Sequence, residues 1–441
     1  MGALVHAYFL IAPQPLVRAF LPDADPPIVG ALPGENDMSA VTSPHRSVRS
    51  ARRVALAVFG ALGLAACGSA APTRSAHEGH IVAAAQTNAV HADAVQAKAA
   101  CPGKMRTYFI AADQVDWNYA PTGMNQITGA AFTDEQNTFV GGGPDRVGST
   151  YKKSQYREYT DATFGQLKPR PAKWEHLGLL GPAIQAEVGD TITVVFKNNT
   201  PFPASVHPHG VFYAKSSEGA GYNDGSGAAN KGDDSVAPGD TYTYVWKVPE
   251  RAGPGPMEGS SVMWMYHSHV DEIGDTNAGL MGPMIVTACG KARPDGSPVD
   301  VDRELVANFS VMDENSSVYS EINRLALQSP PAADDDAFHE SNLMHSINGY
   351  LYGNLPGLTM KKGDHVRWYV MAMGTEVDLH TPHWHGMTVL ANGMRTDVVS
   401  LLPASMITAD MVPDNPGKWF FHCHVNDHIK AGMMATYTVT P

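Results

Sequence analysis

One pattern, written twice, limits this chain more than any other feature. Glu187-Val188-Gly189-Asp190, a strand-like run and His207-Pro208-His209-Gly210 return as Lys361-Lys362-Gly363-Asp364, a second run and His383-Trp384-His385-Gly386. The closing halves also match. His267-Ser268-His269-Val270 with Ala278-Gly279-Leu280-Met281 is answered by His422-Cys423-His424-Val425 with Ala431-Gly432-Met433-Met434. A duplicated unit of this length predicts two similar domains, at 101–290 and 298–441, joined by the Pro- and Gly-bearing stretch 290–298. Within them, 191–196, 242–248, 366–370 and 419–421 carry β-branched and aromatic residues between Gly-Asp, Pro-Gly and Asn-Pro-Gly turn signals. The expected fold class is all-β, two Greek-key β-sandwich domains.

Imidazole is the chemistry the sequence advertises. Nineteen His stand against four Cys, and ten of the His fall into four clusters: His207 and His209; His267 and His269; His380, His383 and His385; His422, His424 and His428. One such pair on a strand is an ordinary structural feature, but four in a two-fold repeat call for metal. Alternate residues of a strand face the same side, so His422 and His424 point one way and Cys423 the other. Cys423 is then free to join His380, His428 and the softer Met433 in a trigonal His2Cys site with a weak axial thioether, the ligand set of blue copper. The net charge of −13 argues against nucleic acid as a partner.

His-Pro-His-Gly, His-Ser-His, His-Thr-Pro-His-Trp-His and His-Cys-His-(3)-His-(4)-Met resemble the four motifs of the multicopper oxidases, over residues 101–441. The resemblance implies cupredoxin-like domains and four coppers per subunit. A type 1 copper would take His380, Cys423, His428 and Met433; a type 2 copper His207 and His383; a type 3 pair His209, His267, His269, His385, His422 and His424. It also implies the reaction: a one-electron donor is oxidised at type 1, electrons cross from Cys423 to His422 and His424, and the three-copper cluster reduces dioxygen to water. The first domain lacks the blue site, with Ala204, Ser268 and Leu280 where His380, Cys423 and Met433 stand in the second. Since the cluster ligands divide between the domains, the resemblance implies a homotrimer whose neighbouring chains complete one another, like the closed ring of six cupredoxin units in ceruloplasmin. Copper nitrite reductases share the two-domain trimer but carry the blue-copper Cys in the first domain, where Ser268 stands here.

Within the family, His207 to Tyr213, Tyr266 to Asp271, Asp313-Glu314-Asn315, Met344 to Gly349 and Asp427 to Met433 are similar to ceruloplasmin and hephaestin. That similarity implies Fe(II) as the reductant, with iron held by Glu340, His345 and Asp427 and by Glu376 of a neighbouring chain. Taken singly, Glu340 and Asp427 read as surface carboxylates and His345 as a packed His; together, each in a matching context, they read as an iron site. The alternative is a laccase-like oxidase of phenols or other small organic reductants. The family's disulfide from a Cys ahead of the His-x-His strand is absent, Ser260 and Ser261 standing there, which leaves Cys289 free or paired with Cys101.

The first hundred residues read as an address. Arg52-Arg53, an apolar run from Val54 and Leu64-Ala65-Ala66-Cys67 resemble a bacterial lipoprotein signal with Cys67 lipidated, within an N-terminal extension over 1–67. On that reading Met38 is the true start, and Ala-rich 68–100, with His77, His80 and His91, is a flexible tether. The expected location is extracytoplasmic, membrane contact being through the lipid alone.

Overall fold

A computed structural model describes residues 101–441. The signal, Met38, Cys67 and the tether lie outside the described residues. Strand alternation is visible directly: in Thr191–Asn199, Ile192, Val194 and Phe196 are buried while the residues between them are not. In Thr241–Lys247 the inward pair is Tyr244 and Trp246. Both are half-buried strands of period two, as the turn signals around them predict.

Four sheets result, and they stack as two sandwiches of the same plan. In the first, Met105–Asn118 runs parallel to Thr191–Asn199 in one sheet, and Ile184–Glu187 parallel to Met281–Thr287 in the other. The second repeats this with Arg303–Asp313 beside Val366–Ala372, and Thr359–Lys361 beside Met434–Thr440. The all-β, cupredoxin-like class is therefore the one the chain adopts. Each sandwich has its own core, around Phe196, Tyr244 and Trp246 in the first and around Trp368, Trp384 and Phe421 in the second.

A third core welds the sandwiches together. Met263, Met265, Met281 and Ile285 of the first meet Val306, Met312, Met344, Tyr369 and Met371 of the second; the flexible thioethers fill an irregular seam between two twisted surfaces. This explains why Val366–Ala372 is buried on both faces. Polar groups also cross the seam. Lys153, fully buried, ion-pairs with Glu314, whose carboxylate also accepts from the Tyr119 hydroxyl at 2.5 Å. Arg367 pairs with Asp410 and donates to the hydroxyls of Ser260 and Ser261 at 2.8 and 2.7 Å. Ser260 and Ser261 thus join the sandwiches by hydrogen bonds. Cys101 and Cys289 form a disulfide, tying the start of the first sandwich to its end.

Candidate metal centre

Strand ends position the histidines. In each sandwich a short strand, His207–Pro208 or Pro382–Trp384, pairs antiparallel with the end of a longer one, Ser261–His267 or Gly417–Cys423. The register sets His207 opposite His267 and His383 opposite His422. Two residues further along each chain, His209, His269, His385 and His424 fall on the same side. Two quartets form. The His207 ring lies 5.5 Å from His209, 5.5 Å from His267 and 5.3 Å from His269, centroid to centroid. His383 lies 4.5 Å from His385, 5.2 Å from His422 and 4.9 Å from His424.

The protons of three of these rings are placed by the backbone. His207 Nδ1 faces the Glu218 carbonyl at 2.6 Å, His267 Nδ1 that of Ser268 at 3.0 Å and His422 Nδ1 that of Cys423 at 2.7 Å. A carbonyl accepts only, so each Nδ1 donates and each Nε2 is left as a bare lone pair. Two of them meet a second ring: His267 Nε2 is 3.1 Å from His209 Nε2, and His422 Nε2 is 3.0 Å from His385 Nε2. Burial, with repulsion from neighbouring rings, lowers the pKa of His209, His267 and His422 to about 4. Neutral rings aimed at a shared point are what a divalent metal requires.

A third group lies inside the second sandwich, where His380, Cys423 and His428 are all buried. Cys423 Sγ is 3.9 Å from His380 Nδ1 and 3.7 Å from His428 Nδ1, and the two Nδ1 atoms are 3.1 Å apart. Burial raises the thiol pKa, but the two imidazoles and the amides of Thr381 and Val425 outweigh it and bring it down to about 6. Met433 is fully buried in the same core. The sequence reading missed Asp378, which holds this group in place. Its buried carboxylate lies 3.1 Å from His380 Nε2 and accepts from the amides of Val311 at 2.6 Å and Thr375 at 2.9 Å. The Nε2 proton is thereby fixed outward and the Nδ1 lone pair inward. Soft thiolate, thioether and two imidazoles fit copper.

Two family models described as multicopper oxidase match the chain, one over 175–290 and one over 326–441. The chain belongs to the multicopper oxidases. Among curated relatives of this multicopper oxidase, "Ferroxidase HEPHL1" of Homo sapiens is 46% identical over 340 residues, 76% of this chain and 29% of that protein. "Ceruloplasmin" of Homo sapiens is 42% identical over 344 residues, 76% of this chain and 30% of that one. The chain thus spans less than a third of the length of these relatives. A solved structure titled "Crystal structure of multicopper oxidase" aligns at 19% identity and a TM-score of 0.49, over 76% of this chain and 89% of that one.

In this multicopper oxidase the first sandwich has a hydrogen bond where the second has the group of His380, Cys423 and His428. The helices Glu272–Ala278 and Asn426–Ala431 both end on a left-handed Gly, with φ 111° at Gly279 and 115° at Gly432. Leu280 N donates to Asp275 O as Met433 N donates to His428 O. Asp275 therefore occupies the position of His428, and its carboxylate accepts from the hydroxyl of Ser268, the counterpart of Cys423, at 2.6 Å.

The residues expected to hold iron are placed unevenly. The His345 ring packs on His428 at 5.2 Å, and its Nδ1 faces the Leu343 carbonyl at 2.8 Å. Burial lowers its pKa to about 4, which keeps it neutral. Asp427 directly precedes His428, and Glu340, Glu376 and Asp427 are all exposed. Among the described residues, three groups of His, Cys, Asp or Glu bring ligand atoms within 4.8 Å of one another, and none includes Glu340, His345, Glu376 or Asp427.

Proposed function

We propose that the protein oxidises Fe(II) and passes the electrons to dioxygen, which leaves as water. His380, Cys423, His428 and Met433 hold the type 1 copper, His207 and His383 the type 2, and His209, His267, His269, His385, His422 and His424 the type 3 pair. Copper in these places supplies one-electron acceptance at one end and four-electron reduction of dioxygen at the other. The protein supplies the wiring and the order. Cys423 lies between His422 and His424 in one strand end, so the thiolate of one group is a neighbour along the backbone of two ligands of the other. The observation that carries the choice of reductant is the His345–His428 contact, which sets a neutral imidazole, a borderline ligand suited to iron, against the outer edge of the blue site. The hard oxygens come from Glu340, Asp427 and, from a neighbouring chain, Glu376.

The split of the quartets supports assembly as a homotrimer. Among the described residues no hydrogen bond or ring contact joins His207, His209, His267 and His269 to His383, His385, His422 and His424, so one chain holds two halves of a cluster. Exposed apolar side chains lie beside both, among polar ones such as Thr388, Arg395 and Asp397 at the second. Phe212, Val270 and Ile273 are exposed near the first quartet, and Leu390 and Val412 line a cleft of about 710 Å3 beside His383 and His385. A closed ring that presses each first quartet on a neighbour's second would cover them. The Cys101–Cys289 disulfide supports an oxidising, extracytoplasmic compartment, and membrane attachment is through lipid on Cys67. No described helix is long and apolar enough to cross a membrane.

The reductant is tested by replacing Glu340 and Asp427 together with Ala. Both are exposed, so the fold and the blue colour should persist. Apparent KM for Fe(II) should rise at least about tenfold, as when ligands of a weak metal site are removed, while oxidation of a bulky phenol is unchanged. Equal losses for iron and phenol would favour the laccase-like reading.

A further inference from the structure

The first sandwich has to hold half of a copper cluster without the blue copper that braces the other half. In the second sandwich, His380, Cys423 and His428 converge from three segments at the base of His422 and His424, and a metal among them would pin those segments together. The first sandwich presents Ala204, Ser268 and Asp275 at the same places. Asp275 is 2% exposed, on a helix with no basic residue in its last turn. One of its oxygens accepts both from the Ser268 hydroxyl at 2.6 Å and from the Asp271 amide at 3.2 Å.

From Ser268 the contacts run on to the histidines without a break. Its oxygen accepts from the Ser205 amide at 3.0 Å. The Ser205 hydroxyl accepts from the His269 amide at 3.0 Å and donates to the Gly219 carbonyl at 2.7 Å. The adjoining carbonyl, that of Glu218, receives His207 Nδ1 at 2.6 Å. Ser268 itself lies between His267 and His269. The Asp275 carboxylate thus anchors a network that reaches the segments bearing His207, His267 and His269 and ties the loop at 204–207 to the strand end at 267–269.

We propose that Asp275, acting through Ser268, is a positioning residue for the first quartet: it does with hydrogen bonds in the first sandwich what the blue copper does in the second, and holds these histidines ready for the type 2 and type 3 coppers. The proposal rests on the copper assignment above. An apolar side chain at 275 leaves the Ser268 hydroxyl without that acceptor, and the tie between the helix end and the strand end is then left to the backbone bonds from Ser268 N to Leu280 O and from Leu280 N to Asp275 O. Asn keeps an acceptor oxygen of the same reach.

The test is a copper titration of the full chain in three forms: wild type, Asp275→Leu and Asp275→Asn. Blue absorbance, the type 2 paramagnetic signal and the near-ultraviolet band of the type 3 pair are read on the same samples. The blue band should titrate alike in all three, because its ligands lie in the other sandwich. In Asp275→Leu the type 2 and type 3 signals should need about ten- to a hundredfold more copper, the usual cost of losing an outer-shell partner; Asp275→Asn should stay close to wild type. Ser268→Ala, a smaller change, should reproduce the Leu result and serves where Asp275→Leu does not fold. Wild-type titration of the type 2 and type 3 signals in Asp275→Leu or Ser268→Ala would overturn the proposal. So would parallel loss of the blue and cluster signals in every variant. A wild-type chain that fills its blue site but shows no type 2 or type 3 signal would instead overturn the copper assignment beneath it.

Discussion

Replacing Cys423 by Ser is expected to bleach the copper-loaded protein and end its turnover together. The colour of such a site comes from charge transfer out of a thiolate, which a hydroxyl does not supply. Cys423 is prepared for that role before metal arrives: two imidazoles and two amides bring its thiol pKa to about 6, so at neutral pH it is mainly thiolate. The same residue joins the blue group to His422 and His424, so the substitution also removes the path to the cluster. The fold should hold, since Ser differs from Cys by one atom and the surrounding Trp368, Trp384 and Phe421 are untouched. Visible absorbance and oxygen uptake check the expectation, with circular dichroism as the control for folding. Blue absorbance surviving in Cys423→Ser would remove the type 1 assignment.

Much of this was legible because the repeat and the strand period act locally. His422 and His424 flanking Cys423 fixes their opposite faces before any tertiary structure is known, and the register His383 opposite His422 fulfils it. What escaped was held by contacts between distant segments. Asp275 was missed because its segment is two residues longer than the matching one: counted from His269 it has no partner, whereas counted back from Gly279 it falls on His428. Asp378 had a signal, since in extended chain it shares a side with His380 two residues on. The Lys153–Glu314 pair joins positions 161 residues apart and has no local signature. The choice between a free and a paired Cys289 needed the chain path that brings Cys101 beside it. Glu340, Glu376 and Asp427, the carboxylates proposed for iron, sit in surface segments whose side-chain reach no strand period dictates, whereas His345, in a strand, packs against His428.

Two inactive variants should restore one another's activity. His209→Ala disables the first quartet and His422→Ala the second, and each alone should abolish oxygen uptake. If clusters form between neighbouring chains, a mixed ring contains interfaces where an intact first quartet meets an intact second one. Random assortment of equal amounts makes about one quarter of the interfaces complete. Copper-loaded variants unfolded, mixed and refolded together should therefore recover about a quarter of wild-type turnover, and variants refolded apart and then mixed should recover none until subunits exchange. No recovery from co-refolded samples that light scattering shows to be trimers would place the whole cluster within one chain.

In the proposed reaction this multicopper oxidase draws its electrons from Fe(II) and delivers them to dioxygen, which leaves as water. Simultaneous recording of Fe(III) formation and oxygen consumption on the copper-loaded protein, with catalase added at the end, tests it most directly. The expected result is one dioxygen consumed for every four Fe(II) oxidised, with no oxygen returned by catalase, and a kcat/KM for Fe(II) above that for a bulky phenol. Fe(II) oxidation no faster than in buffer, with brisk oxygen uptake on the phenol, would contradict the claim, as would oxygen released by catalase in proportion to the iron oxidised.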